Sequence, residues 1–384
     1  MNENERPLKI GITCYPTYGG SGVLATELGK QLARHGHEIH FITYALPYRL
    51  KGFISNVYFH EVQVSNYPLF EHQPYTLNLA VKMHEVVRET GLDLLHVHYA
   101  IPHATSAWIA KQMLENERDI KVITTLHGTD ITLVGQDASF KEITRYSIER
   151  SDGVTAVSEH LKSQTLDFFG IVNPIEVIPN FVNTKEFSPC KDNGKCRKYL
   201  AQCDEKVIMH ISNMRPVKRL GDVVRVFARV NDKLKCRLVL VGDGPETATA
   251  SRMAHELGVS ERCLFLGAQD SIANLLNCAD LVLQPSATES FGLVILESMS
   301  MGVPAVSTRC GGPEEVVLHG ESGFLSEIGD VEEMAANCLR LLTDRELYAR
   351  FSRRARERVL EKYEIEKITR RYEEFYRKIL RQDR

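Results

Sequence analysis

Two carboxylates stand eight residues apart in "ESFGLVILE", Glu289 and Glu297. Glu297 follows the apolar run Leu293, Val294, Ile295 and Leu296, so it falls inside what reads as a buried helix start. A carboxylate buried alone would cost several kcal/mol and needs donors. The two adjacent hydroxyls of a ribose would supply them; a nearby arginine, or a side chain that snorkels out, would also do. Ser290 reads as the N-cap of a helix over 291–301. Phe291, Gly292 and Leu293 would then present free backbone N–H groups suited to phosphate oxygens. Glu289, just ahead of that helix, would lie where a sugar joined to the phosphates would sit.

Cations at a matching position occur upstream. In "ISNMRPVKRLGD" (211–222), Arg215, Lys218 and Arg219 cluster after a strand and before a helix. Arginine chelates two oxygens and lysine supplies a point charge, which suits a diphosphate; a solvated basic turn is the plain alternative. Glycine loops end other strands: "GGSG" (19–22), "VGDGPE" (241–246) and "STRCGGPEEV" (307–316). At the first, Gly19, Gly20 and Ser21 open a helix, as a phosphate cradle or a tight turn. The spacing is neither the dinucleotide pattern GxGxxG nor Walker A, which needs GK[ST]. The chain contains no DxD, and a diphosphate held by cations and helix N-termini needs no metal or other cofactor. His96 and His98 alternate on one strand without a third ligand, which favours packing over metal binding.

These groups need elements to hold them. Apolar runs of strand length alternate with amphipathic helical patterns, the signature of parallel α/β sheets. In the first half the strands are 8–13, 38–43, 94–98, 121–126 and 153–158, with helices near 22–35, 76–90, 103–115, 137–150 and 159–168. The segment "NPIEVIPNFVNTKEFSPCKDNGKC" reads as a linker. A second series follows with strands at 206–212, 236–242, 263–267, 279–286 and 304–308. The pattern predicts two doubly wound Rossmann-like domains, 1–180 and 190–364, with a cleft between their carboxyl strand ends. The charged C-terminal stretch 356–384 reads as one amphipathic helix.

Composition sets the outer limits. At 384 residues two domains are expected. A net charge of −3 gives no global drive toward nucleic acid or acidic lipid. No apolar run approaches a membrane span, and "MNENERPLKI" has no signal-peptide core. The nine cysteines lack a CxxC and read as cytosolic thiols, which predicts a cytoplasmic protein. They are expected to be mostly structural, Cys14 beside the first glycine loop included, with a reactive thiol there as the lesser alternative. Self-association into a homo-oligomer is compatible with the sequence, which does not fix it.

The spacing Glu289-x7-Glu297, with Gly302-Val303-Pro304 behind it, resembles the signature of family four of the retaining glycosyltransferases, which have the GT-B fold. "GG-x-G", "HGTD" (127–130), "VGDGP" and "GGPEEV" agree, so the resemblance covers nearly the whole chain. It implies that Glu297 binds the nucleotide ribose, Glu289 the donor-sugar hydroxyls, and Arg215 with Lys218 the diphosphate. His127 resembles the family histidine near the reacting centre. Asn213 stands where the family usually has an arginine, five residues before the lysine, and Arg215 is its candidate replacement. The fold also implies that helix 365–384 returns to the first domain.

The N-terminal stretch 9–43, "LLHVHYAIPHATSAWIAKQML" and "ITTLHGTDIT" resemble the branch that moves GlcNAc from UDP-GlcNAc to the hydroxyl of L-malate, the first step of bacillithiol synthesis. A dicarboxylate acceptor needs cationic or hydroxyl donors in the first domain, and Arg145, Tyr99, Thr125 and Ser21 are the candidates. Alternatives are a related transferase acting on inositol phosphate or a sugar, a UDP-GlcNAc 2-epimerase of the same architecture, and a non-catalytic nucleotide-sugar binding module.

Overall fold

The computed structural model describes residues 6–17, 19–64, 72–190 and 194–382, with the backbone alone of 194–196. The chain divides into two compact units, one of Met1–Asn180 with Ile365–Arg384 and one of Phe181–Glu364.

The first unit carries seven strands: β1 (Lys9–Thr13), β2 (Glu38–Thr43), β3 (Val57–Glu61), β4 (Leu94–His98), β5 (Lys121–Leu126), β6 (Gly153–Ala156) and β7 (Ile175–Val177). They form one sheet in the order β3-β2-β1-β4-β5-β6-β7, and every pair is parallel. Between them run α1 (Gly20–Arg34), α2 (Tyr75–Thr90), α3 (Thr105–Met113), α4 (Lys141–Glu149) and α5 (Glu159–Phe169). A parallel sheet flanked by helices buries both faces, which is why β4 and β5 are buried at every position, polar His96, His98 and Lys121 included.

The second unit begins with α6 (Gly194–Leu200). Its strands are β8 (Lys206–Ile211), β9 (Cys236–Val241), β10 (Cys263–Phe265), β11 (Leu281–Gln284), β12 (Ala305–Thr308) and β13 (Gly323–Ser326). They order as β10-β9-β8-β11-β12-β13, again all parallel. The helices are α7 (Leu220–Asn231), α8 (Thr247–Glu256), α9 (Ala273–Leu276), α10 (Leu293–Ser300), α11 (Gly312–Val316), α12 (Val331–Thr343) and α13 (Arg345–Lys362). Phe227, Phe351 and Leu238 lie in its sealed core.

In each sheet the strand order reverses once, between β1 and β4 and between β8 and β11. Loops on either side of such a switch point leave in opposite directions, which opens a crevice beyond the carboxyl ends of the strands.

The structure adds to and corrects the sequence reading. β3 and β13 go unread: β3 is half exposed and lacks an apolar run, and β13 is only four residues, GFLS. The supposed linker 173–196 holds β7 and the start of α6; its residues 191–193 lie outside the described residues. The C-terminal stretch is two helices, not one. α13 ends at Lys362, and α14 (Ile365–Arg381) starts after a break at Tyr363–Glu364; residues 383–384 are outside the described set.

Helix α14 belongs to the first unit. Its Ile365, Ile368, Tyr372, Phe375, Tyr376 and Ile379 recur at helical spacing and are buried. Gly153 of β6 makes room for it, since a Cβ there would stand 2.9 Å from both Ile379 and Phe375. On its polar edge, Glu373 meets Nδ1 of His35 at 3.0 Å and Nε2 of His37 at 2.8 Å, while Glu366 reaches His35 at 3.2 Å.

Burial opposes charge on His35, but hydrogen bonds from Glu373 and Glu366 outweigh it and raise its pKa. Burial likewise opposes charge on Glu373, and His37 and His35 outweigh it and lower that pKa. The histidine contribution is complete below its unfolded value of 6.5 and fades as pH rises through the higher folded value. The carboxylate contribution is complete above 4.5 and fades as pH falls through the lower folded value. Glu373→Gln should therefore lower the thermal unfolding midpoint most between those two pH values and least above pH 8, as melting curves across pH would read.

Candidate functional site at two topological switch points

At the switch point of the second unit, the loop after β8 meets the loop after β11. Lys218 Nζ donates to Glu289 Oε1, and Ser286 Oγ donates to the same oxygen at 3.1 Å. The Glu289 backbone is pinned as well: its N–H donates to Cys310 O at 3.1 Å and its carbonyl accepts from Gly312 N at 2.8 Å. Glu289 thus bridges three loops through main chain and side chain.

Gly292, with φ of 91°, turns the chain into α10. It is the N-cap in place of the expected Ser290, so the helix begins at Leu293 and not at Phe291. The first-turn amides, from Leu293 onward, have no acceptor inside the helix. Phe291 is sealed against Tyr363 with ring centroids 5.8 Å apart, which leaves its ring no part in contacting a ligand. Glu297 is buried one turn into α10, as its apolar neighbours suggested.

The loop after β9 lies against the loop after β8. A Cβ on Gly242 would stand 1.8 Å from Ser212 O, and its φ is 114°, so only glycine lets the two come this close. Asn213 and Arg215 are exposed on that loop, and neither carries an ion pair among the described residues. The expected three-cation cluster is smaller than it read, because Arg219 is bound to Asp222 at 2.6 Å. Of the other two cations, Lys218 is paired with Glu289 and Arg215 carries no ion pair among the described residues.

The switch point of the first unit is built from neutral groups. Gly19 caps α1, and Gly19 and Gly20 are exposed. The glycine that geometry demands is Gly22, where a Cβ would stand 2.2 Å from Tyr15 O. Ser21 Oγ and Tyr99 OH are 2.9 Å apart, a bond joining the loop after β1 to the loop after β4. Cys14 is fully buried, and burial pushes its pKa up to about 12, in line with the structural reading of the cysteines. It is an inert core residue.

Behind these loops lies a polar interior. His127 Nε2 is 2.8 Å from His98 Nδ1, and His96 is bonded at Nδ1 to Tyr376 OH (2.8 Å) and at Nε2 to Thr125 Oγ1 (2.7 Å). Thr125 was expected to offer its hydroxyl to an acceptor. It is wholly buried, and that hydroxyl is engaged by His96 and by Thr155 at 2.7 Å, so the structure places it behind the site. Arg145 is not brought to Ser21 or Tyr99 by any contact; it pairs with Glu149 at 3.2 Å on the surface of α4, with Glu142 close by on the same helix. Among the described residues no three His, Cys, Asp or Glu side chains come together as a metal site, and His96 and His98 serve packing and hydrogen bonding.

Asp130 was quoted within "HGTD" but given no role. Its buried carboxylate accepts from the N–H groups of Ala100 (3.1 Å), Gly128 (2.9 Å) and His127 (3.3 Å), tying the loop after β4 to the loop after β5. Burial raises its pKa, and those amide bonds work against the rise. The signal for it was an acid two residues past a glycine at a strand end. Asp130→Ala should orphan all three amides and remove about 2–3 kcal/mol of stability, read by urea unfolding.

Comparison with known proteins agrees with this geometry. Residues 18–186 match Glycosyltransferase Family 4, and residues 195–358 match Glycosyl transferases group 1. The chain is 49% identical to N-acetyl-alpha-D-glucosaminyl L-malate synthase of Bacillus anthracis, covering 98% of each. It is 26% identical to D-inositol 3-phosphate glycosyltransferase of Mycolicibacterium smegmatis, over 85% of this chain and 79% of that one. Anabaena HepE, solved with UDP and glucose, superposes with a TM-score of 0.81 at 21% identity, covering 96% and 99% of the two chains. WaaG, a glycosyltransferase of lipopolysaccharide biosynthesis, superposes with a TM-score of 0.74 at 13% identity, covering 96% and 99%. With two parallel-sheet α/β domains of the GT-B fold, this chain belongs to glycosyltransferase family 4.

Proposed function

We propose that this glycosyltransferase moves GlcNAc from UDP-GlcNAc to the hydroxyl of L-malate with retention of the α configuration, the first step of bacillithiol synthesis. The observation that carries the reading is the 49% identity, over 98% of both chains, to a protein named for that product. No helix among the described residues is long and apolar enough to cross a membrane. The eight cysteines described are all free, which suits a reducing, cytoplasmic setting.

On this reading the second unit takes the donor. Glu297 accepts the two ribose hydroxyls, and the amides from Gly292 and Leu293 onward meet the diphosphate with Lys218 and Arg215. Asn213, on the exposed loop after β8, adds a polar contact. A diphosphate competes with Glu289 for Lys218, and Glu289 is then free to accept from the sugar hydroxyls. The first unit takes the acceptor through Ser21 and Tyr99, while the amides at Gly19 and Gly20 serve the donor phosphate. Arg145 supplies a guanidinium for a malate carboxylate once it leaves Glu149, a surface pair that holds it weakly. His127 lies at the reacting centre.

The reaction needs no protein nucleophile. The bond from C1 to the leaving phosphate oxygen breaks as the malate oxygen bonds C1 on the same face, and the malate hydroxyl proton passes to that phosphate oxygen. Fixed cations and amides stabilise the charge that develops there.

Product analysis tests the reading. UDP release from UDP-GlcNAc should require L-malate and be negligible with inositol phosphate or glucose. Conversion of UDP-GlcNAc without any acceptor would favour the epimerase, and UDP binding without release would favour a binding module. Glu297→Ala should weaken UDP binding roughly tenfold or more by calorimetry, as loss of a hydrogen bond to a charged group implies. Arg145→Ala should raise the KM for malate and leave UDP binding unchanged; unaltered malate kinetics would remove Arg145 from the acceptor site.

A further inference from the structure

His127 reaches its place beyond β5 with one ring nitrogen already committed. Its Nε2 is 2.8 Å from His98 Nδ1, and the two rings stack at 28° with centroids 5.1 Å apart. Both rings are neutral. Burial, with a smaller electrostatic effect of neighbouring His103, lowers His127 to about 3, and burial with the surrounding histidines lowers His98 well below its ordinary value. A neutral imidazole has one N–H and one lone pair, so two arrangements of this bond exist. In one, His98 donates from Nδ1, and His127 accepts at Nε2 and carries its own proton on Nδ1. In the other, His127 donates from Nε2 and keeps a bare Nδ1, while His98 carries its proton on Nε2.

The nitrogen that separates them is His98 Nε2, which is buried and has no hydrogen-bond partner among the described residues. The first arrangement leaves an unpaired lone pair there and the second an unpaired N–H. An orphaned N–H in a protein interior is the rarer of the two. The neighbouring His103 supplies a parallel. Its Nδ1 faces the carbonyl oxygen of His98, which can only accept, so its proton must be on Nδ1. Its Nε2, also buried and unpartnered, is therefore a bare acceptor already tolerated in this interior.

We propose that His98 is a positioning residue that fixes His127 as its Nδ1–H tautomer, so that His127 meets a ligand as a hydrogen-bond donor and not as a base. The ligand atom facing His127 must then be an oxygen that accepts, such as a sugar hydroxyl oxygen or the oxygen of the bond being broken. The catalytic consequence rests on the proposed role of His127, but the tautomer itself is a property of the unliganded chain.

Long-range proton–nitrogen NMR of the full-length protein, labelled with ¹⁵N-histidine and held near pH 7.5, reads the tautomer directly. Ring signals are assigned with His98→Gln and His127→Gln. The expected spectrum shows His127 protonated at Nδ1 and bare at Nε2; protonation at Nε2 overturns the inference. In His98→Leu the Nε2–H form of His127 should appear, and kcat should fall about tenfold, the effect of one lost aligned hydrogen bond. The KM for UDP-GlcNAc should change much less. His98→Gln, whose amide can donate to the same nitrogen, should recover most of the rate. A wild-type tautomer retained in His98→Leu also overturns the inference, and if that variant does not fold the wild-type spectrum decides alone. A chain that proved to use another sugar or acceptor would leave the spectrum unchanged, so the two failures are distinguishable.

Discussion

One topological constraint organises each unit: a wholly parallel sheet whose strand order reverses once. At β1/β4 and at β8/β11 adjacent strands end side by side while their loops depart to opposite faces. Backbone groups beyond those strand ends have no neighbouring strand to pair with, so the chain must close the opening with side chains or keep it for a ligand. Both units do the same thing. A side-chain bond crosses each opening, Ser21 to Tyr99 in the first and Lys218 to Glu289 in the second. Gly22 lets the start of α1 close on Tyr15 of its own loop, and Gly242 lets the loop after β9 close on the loop after β8, at distances a Cβ would forbid.

The two openings differ in charge, and the difference follows from what backs them. In the second unit the crossing bond is the ion pair Lys218–Glu289, and α10 with buried Glu297 begins a few residues after Glu289. Charged groups there can exchange partners with a charged ligand at modest cost. In the first unit the crossing bond is between hydroxyls, and behind it lie His96, His98, His103 and His127, each held neutral by burial. Neutral imidazoles in an enclosed site act through the direction of their hydrogen bonds, so the location of each proton carries the chemistry.

That interior also explains the return of α14. Tyr376 is fully buried and closes the Nδ1 side of His96, whose other nitrogen holds Thr125. Without the last helix, the polar side chains of β4 and β5 would face an opening in the first unit. The same helix edge binds His35 and His37 through Glu373, so α1 and α14 are fixed together beside the sheet.

The alternation of apolar runs with helical patterns was sufficient to locate, among the described residues, all nine interior strands, which are buried on both faces, and the edge strand β10. The apolar run Leu293–Leu296 also pointed to a buried start of α10, and the structure buries Glu297 within it. Short edge strands such as β3 and β13 carry no such pattern and were not legible. Tertiary structure alone decided which hydroxyls and rings meet. Thr125 and Tyr99 both stand at the end of a strand in the sequence, yet one is locked between His96 and Thr155 and the other reaches Ser21. Strand periodicity gives the face a side chain takes but not what packs on that face, and here the packing partner, α14, comes from the far end of the chain. The Asp130 amide cradle and the His98–His127 bond escaped the sequence for the same reason: each joins loops that only the order of strands in the sheet makes neighbours.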